Sequence, residues 1–285
     1  MLLSMTGYGK SIIQLSSKKI TIELRSLNSK NMDLNVRMSS QYKEKELDIR
    51  KKVAKSLVRG KVDFSIYIEN TAEETSSQIN LPIVNEYITQ LSQIQSSSES
   101  DLLSIAMRLP DAMKTTREEF DEEEWEVIEE GIHEALEKLQ LYRKDEGDSM
   151  TTDLKQNIES IDRLMQEVKE LAEARMTHVK QRLKNALEEL SMNVDENRFE
   201  QEMIYYLEKL DINEEMVRLE NHLNYFNEEL NSPISNGKKL GFIAQELGRE
   251  INTTGSKSNY APMQHVVVKM KNELEKIKEQ ILNIL

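Results

Sequence analysis

Three stretches near the start of the chain alternate strictly between apolar and polar residues. Ile20, Ile22 and Leu24 interleave with Thr21, Glu23 and Arg25. Met32, Leu34, Val36 and Met38 interleave with Asp33, Asn35 and Arg37, and Val62, Phe64, Ile66 and Ile68 repeat the pattern. A period of two predicts strands with one face on a core and one face outside, and so an antiparallel sheet. Ser16-Ser17-Lys18 reads as the turn between the first two strands. Between Met38 and Val62, the apolar positions Leu47, Ile49, Val53, Ala54 and Leu57 recur at helical spacing. Arg59-Gly60-Lys61 ends that helix, with Gly60 suited to the left-handed cap. Residues 71–80 and 95–101 are rich in Ser, Thr and Gln and read as loops around a short helix opened by Leu81-Pro82.

The rest of the chain is helical in pattern. Residues 118–130 set nine acidic side chains around Phe120, Trp125, Val127 and Ile128, the pattern of an amphipathic helix with a solvated acidic face. Neither Gly nor Pro occurs between Asp148 and Ser232. One unbroken helix there would reach about 130 Å at 1.5 Å per residue, so a break is expected, best placed at Ser191–Asn197. Before it, Leu154, Ile158, Ile161, Met165, Val168, Val179 and Leu183 form a stripe that Arg175 interrupts, the pattern of a helical arm. A helix over about 201–228 follows, with Ile212, Met216, Leu219, Leu223 and Phe226 as its apolar face. Another opens at Gly237, and a last one spans about 262–284. The fold class is α+β. An N-terminal α+β domain covers 1–150, the helical arm 151–196, and a helical C-terminal domain 197–285.

Composition narrows the chemistry. The chain has 285 residues and no cysteine, which excludes a disulfide scaffold, thiolate-bound zinc and thiol catalysis. No apolar run reaches the roughly 18 residues of a membrane span, and the start lacks signal-peptide character, so the expectation is a soluble cytoplasmic protein. The net charge of −13 is unevenly spread: residues 1–70 carry 14 basic and 7 acidic side chains, 71–236 carry 16 and 39, and 237–285 carry 8 and 5. Two basic ends flank an acidic middle, so an anionic ligand could be met by the ends alone.

The densest polar chemistry lies near the C-terminus. Asp211, Glu215, Arg218 and His222 share one helix edge beside the apolar stripe. Such a set can hold a hard cation, act as general acid or base, or form a salt-bridged surface. In the next helix Glu246 and Glu250 lie one turn apart with Arg249 beside them. Thr253–Asn259 reads as a small polar closing loop suited to phosphate contacts, or simply as a helix cap.

At these residues the chain resembles the YicC/YloC family of bacterial endoribonucleases, once described as stress-induced proteins. The similarity runs through Ser4-Met5-Thr6-Gly7-Tyr8-Gly9, then Glu23, Arg25, Ser26 and Asn28, and Arg59-Gly60-Lys61-Val62. It continues through Arg143 with Glu146-Gly147, Asp211-Ile212, Glu214-Glu215, Arg218-Leu219 and His222. Gln245-Glu246, Arg249-Glu250, Asn252-Thr253, Ser256-Lys257-Ser258, Glu279-Gln280 and Asn283-Ile284 complete it. The resemblance implies a ring-like homohexamer that closes on single-stranded or hairpin RNA and cuts it with a divalent metal. Combined with the polar clusters, it makes Asp211, Glu215, His222, Glu246 and Glu250 the expected ligands of Mn²⁺ or Mg²⁺. His222, Glu215 and Arg218 are the expected catalytic set, with Arg218, Arg249 and Lys257 on the phosphate. Arg25, Asn28, Arg59 and Lys61 would grip the RNA backbone. The competing expectation is a non-catalytic RNA-binding adaptor that presents RNA to another RNA-decay enzyme.

Overall fold

A computed structural model describes residues 2–70, 77–94, 98–115, 121–189 and 196–285. Strands β1 (Gly7–Gln14), β2 (Lys18–Leu27), β3 (Met32–Arg37) and β4 (Gly60–Asn70) form one sheet in the order β1-β2-β4-β3. β1–β2 and β2–β4 are antiparallel, but β3 runs parallel to β4. The sheet is therefore mixed, not antiparallel throughout. Parallel neighbours need a crossover, and the 3₁₀ turn Ser40–Lys45 with helix α1 (Glu46–Leu57) supplies it. Alternation reports which face is buried and carries no strand direction. The end of α1 also differs from expectation. Val58, at φ 59°, is the positive-φ residue after the helix, while Gly60, at φ 128°, opens β4.

Strands β5 (Ser77–Ile79) and β6 (Met113–Thr115) pair antiparallel, with α2 (Leu81–Ile94) and α3 (Glu99–Ala106) between them. This small unit has its own core of Val84, Ala106 and Ala112. Of the two segments read as loops, 71–76 and 95–97 lie outside the described residues. Ser98 caps α3, its side chain accepting from the Asp101 amide.

Helix α4 (Glu122–Glu189) runs 68 residues, about 100 Å long. It passes uninterrupted through position 150, so the N-terminal domain and the arm share one helix. Two cores pack on it. Trp125, Ile128, Ile132, Ala135 and Leu139 meet the inner face of the sheet and α1, and Leu154, Ile158, Ile161, Met165 and Val168 meet the C-terminal helices. The acidic start of α4 suits the positive end of its dipole, and it is not wholly a solvated face. Glu124 is buried and accepts from the Tyr42 hydroxyl at 2.9 Å and from Lys18 at 3.2 Å.

The C-terminal helices are α5 (Glu196–Lys209), α6 (Asn213–Leu230), α7 (Gly237–Lys257) and α8 (Ala261–Ile281). The expected break at 191–197 falls mostly on 190–195, outside the described residues. The helix expected over 201–228 is two helices, interrupted at Leu210–Ile212. No helix among the described residues is long and apolar enough to cross a membrane.

Both chain ends meet beside α4. Ser4 and Ile284 form a β-bridge, the Met5 amide donates to Asn283 O at 2.8 Å, and the Leu285 amide donates to Leu3 O at 2.9 Å. Leu2 and Ile284 thereby enter the C-terminal core. Arg143 locks the junction. Its buried guanidinium donates to Leu57 O at 3.2 Å, to Met5 O at 3.0 Å and to the Ser26 hydroxyl. No carboxylate pairs with it among the described residues, and burial lowers its pKa to about 10. Close approach requires glycines here: a Cβ on Gly9 would overlap the Ala135 carbonyl oxygen, and one on Gly147 would overlap Leu2 O.

Arg143→Met would remove three charge-assisted hydrogen bonds from a dry junction, although Met5 O keeps the Ser26 hydroxyl and Leu57 O keeps the Arg59 amide. With hydrogen bonds to a charged group worth about 1.5–3 kcal/mol each, offset by the remaining partners and by removing a buried charge, we expect a net loss of about 1–3 kcal/mol. Urea unfolding of both proteins checks this, and an unmoved midpoint would show that Arg143 does not hold the junction.

Candidate functional site

Helices α6 and α7 lie antiparallel, cross-linked near both ends. Lys239 Nζ meets Glu229 Oε2 at 2.5 Å at one end, and Lys257 Nζ meets Glu215 Oε1 at 2.7 Å at the other. That register brings His222 level with the turn of α7 carrying Glu246 and Glu250. His222 is half-buried and Glu250 is only 3 % exposed. The Glu250 side chain has no hydrogen bond or ion pair among the described residues, whereas Glu246 faces Arg249 at 3.8 Å.

The expected catalytic and metal residues do not all share this face. Asp211 is not on the α6 edge with Glu215 and His222. It precedes the helix, where its Oδ1 accepts the Asn213 amide at 3.2 Å. A short side chain able to bond the backbone two residues on is what interrupts helices, so spacing by fours through position 211 misassigned it to the stripe. Arg218 pairs with Glu214 on the exposed side of α6. Among the described residues, no group of three or more His, Asp or Glu side chains comes close enough to hold a metal ion. The donors fit a different kind of cation site. Mg²⁺ is commonly held by one or two carboxylates plus phosphate oxygens of the substrate, and the Glu250 carboxylate has no hydrogen bond or ion pair among the described residues.

Several residues expected on RNA have other partners. Asn28 Nδ2 donates to Leu282 O at 2.6 Å and Arg59 donates to Ile284 O at 2.9 Å, so both hold the C-terminal end against the sheet. Lys257 Nζ donates to Asp211 O at 2.8 Å as well as to Glu215, joining α7 to the start of α6. The expected phosphate loop at Thr253–Asn259 is instead mostly helix, since α7 continues to Lys257. Thr253 and Thr254 turn their hydroxyls back onto the carbonyls of Arg249 and Glu250, which suits them to the helix. Arg25, Lys61 and Arg249 remain on the surface.

Sequence reasoning passed over Arg175, seen only as an interruption of the arm's apolar stripe. It is 2 % exposed, and its guanidinium donates to Leu210 O at 2.8 Å and Lys257 O at 3.3 Å. It thus holds the backbone on both sides of the Lys257–Glu215 contact. Burial lowers its pKa, and nearby Asp211 opposes that shift. A charged residue in the middle of an apolar stripe was the available signal.

Glu215 Oε2 is buried with no hydrogen bond, so Lys257 is the counter-charge for a carboxylate that water barely reaches. Lys257→Met should destabilise the protein by about 3–5 kcal/mol. Lys257→Met combined with Glu215→Met should recover most of that loss. Thermal melts of the single and double variants test the coupling, which is refuted if the two losses simply add.

Two family models together match nearly the whole chain: "Endoribonuclease YicC-like, N-terminal region" over residues 2–152 and "Endoribonuclease YicC-like, C-terminal" over residues 166–285. A protein of Clostridioides difficile (strain 630) named "Probable endoribonuclease YicC" is 29% identical over 293 residues, covering 100% of both chains. A Haemophilus influenzae protein of the same name is 28% identical over 288 residues, again with 100% of both covered. The chain therefore belongs to the YicC-like endoribonuclease family.

Proposed function

We propose that this protein cleaves single-stranded or hairpin RNA internally, with Mn²⁺ or Mg²⁺, at the α6/α7 face. One observation carries the reading. In a chain similar end to end to proteins named probable endoribonucleases, a half-buried imidazole lies level with a carboxylate that has no ion pair among the described residues and a second carboxylate one turn away. Glu250, with Glu246 one turn away, would hold the ion together with the RNA phosphate, and His222 would stand beside it without being a ligand. When bound, the metal would supply positive charge to the phosphate and acidify a water or 2′-hydroxyl. The His222 imidazole, half-buried at this face, is a side chain of the type that serves as general acid or base. Arg249, on the exposed surface, would hold the scissile phosphate through charge-assisted hydrogen bonds. Asp211, Glu215, Lys257 and Arg175 keep the helices in register behind them.

The working unit in this reading is a cytoplasmic homo-oligomer, a hexamer that closes on RNA. The small unit around α2 and α3 supports self-association, because it exposes Ile79, Leu81, Ile94, Leu103, Ile105 and Met113. Isolated soluble monomers seldom leave so many large apolar side chains bare in one region.

With an end-labelled hairpin RNA, the wild-type protein should cut in Mn²⁺ and not in EDTA. His222→Ala and Glu250→Gln should each reduce the rate about 10²–10⁴-fold with unchanged melting temperature. RNA binding without cutting in every lane would overturn the nuclease reading and leave the adaptor. Light scattering gives the oligomer mass, and a monomer at working concentration would overturn the ring.

A further inference from the structure

We propose that the shallow pocket between the start of β1, the end of β2 and α4 seats one nucleotide of a single-stranded RNA, its base against Tyr8 and Tyr142 and its phosphate on Arg25. This rests on the reading of the chain as an RNA-cleaving enzyme and adds a subsite on the N-terminal domain, outside the α6/α7 face. The pocket has a volume of about 370 Å³ and is lined by Thr6, Gly7, Tyr8, Arg25, Ser26, Leu27 and Tyr142.

Tyr8 is where packing stops explaining the sequence. On either side of it, a Cβ on Gly7 would crowd Leu139 and Arg143 at 3.1 Å, and Gly9 meets the Ala135 carbonyl. Both glycines answer to α4. Tyr8 points to the other face of the sheet, is 37% exposed and belongs to none of the hydrophobic cores. Its cross-strand neighbour is Arg25, whose guanidinium carbon stands 5.5 Å from the ring centroid. Arg25 forms no ion pair among the described residues. Asp63, opposite it on β4, accepts from Asn35 at 3.0 Å instead. The Tyr8 hydroxyl donates to Glu23 at 3.2 Å, a carboxylate already paired with Lys10. An arginine beside the tyrosine ring, with no hydrogen bond of its own among the described residues, offers a surface for a base and a charge for its phosphate.

Tyr142 supplies a second aromatic side and is 48% exposed on α4. Behind the pocket lies the Arg143 guanidinium, bonded to the lining hydroxyl of Ser26. Its Nε is buried without a partner and no carboxylate pairs with it. This buried cation, without a carboxylate partner among the described residues, sets positive charge behind Ser26 beside the Glu146 carboxylate that accepts from the lining Thr6 hydroxyl, and together with Arg25 it favours an anionic ligand. Bases inside a duplex are stacked and cannot enter such a pocket, so the seat would select unpaired nucleotides.

The test is fluorescence anisotropy of a labelled single-stranded RNA of about eight nucleotides with the full-length protein in EDTA, where cleavage is not needed. Tyr8→Ala and Tyr142→Ala should each weaken binding about 10-fold, Tyr8→Phe should keep it, and Arg25→Met should weaken it and flatten its salt dependence. Wild-type protein should bind a strand with abasic sites about as weakly as the alanine variants bind the intact strand. Equal affinity of wild type and both alanine variants for the intact strand overturns the seat while leaving the nuclease reading in place. Wild type that neither binds nor cuts any RNA overturns the nuclease reading, and the seat with it. Unchanged melting curves for these surface variants separate lost contacts from lost fold.

Discussion

A guanidinium buried without a carboxylate is tolerated only where enough oxygen acceptors surround it, and at Arg143 those acceptors come from separate parts of the chain. Met5 precedes the first strand, Leu57 ends the first helix and Ser26 stands near the end of β2. Arg143 itself lies on the helix that carries both hydrophobic cores. The chain's last residues then close over the first ones through the Ser4–Ile284 bridge, with Asn28 and Arg59 gripping the terminal carbonyls. Because one rigid helix passes through this junction, the sheet and the C-terminal helices are set relative to each other by a few polar contacts.

The same device recurs roughly 50 Å farther along α4. Arg175 is also buried, also lacks a carboxylate within hydrogen-bonding reach among the described residues, and also serves backbone carbonyls, those of Leu210 and Lys257. It meets α5, α6 and α7 where Lys257 neutralises Glu215. These contacts leave the α6/α7 face with its register determined and with Glu250 and His222 unconsumed. Polar groups used for structure and polar groups left for chemistry thus sit within two turns of one another.

Much of the fold was legible. Period-two alternation marked β2, β3 and β4, and the apolar stripes of α1 and α6 marked their buried faces. The arm was visible as a glycine- and proline-free stretch. Three readings failed for one reason. Parallel pairing of β3 with β4, the interruption at Leu210–Ile212 and the continuation of α7 through Thr253–Lys257 all depend on partners that local pattern does not register. A crossover helix, the Asp211 side chain turned onto Asn213, and hydroxyls folded back onto carbonyls decided them.

The candidate site divides along the same line. Which residues are polar and lie near a helix edge follows from sequence, because helical geometry converts spacing directly into direction. Which of them remain available was decided by tertiary contacts. Asn28 and Arg59 are basic or polar residues near a basic end, yet their donors face Leu282 and Ile284, more than two hundred residues away along the chain. Lys257 is drawn to Glu215 across two helices, while Glu250, of the same type and on the same helix as Glu246, has no ion pair among the described residues. The sequence by itself determined the elements, their buried faces and the set of candidate groups. Only the tertiary structure decided which groups are free, since a charge is satisfied by whatever the fold brings within about 3 Å of it.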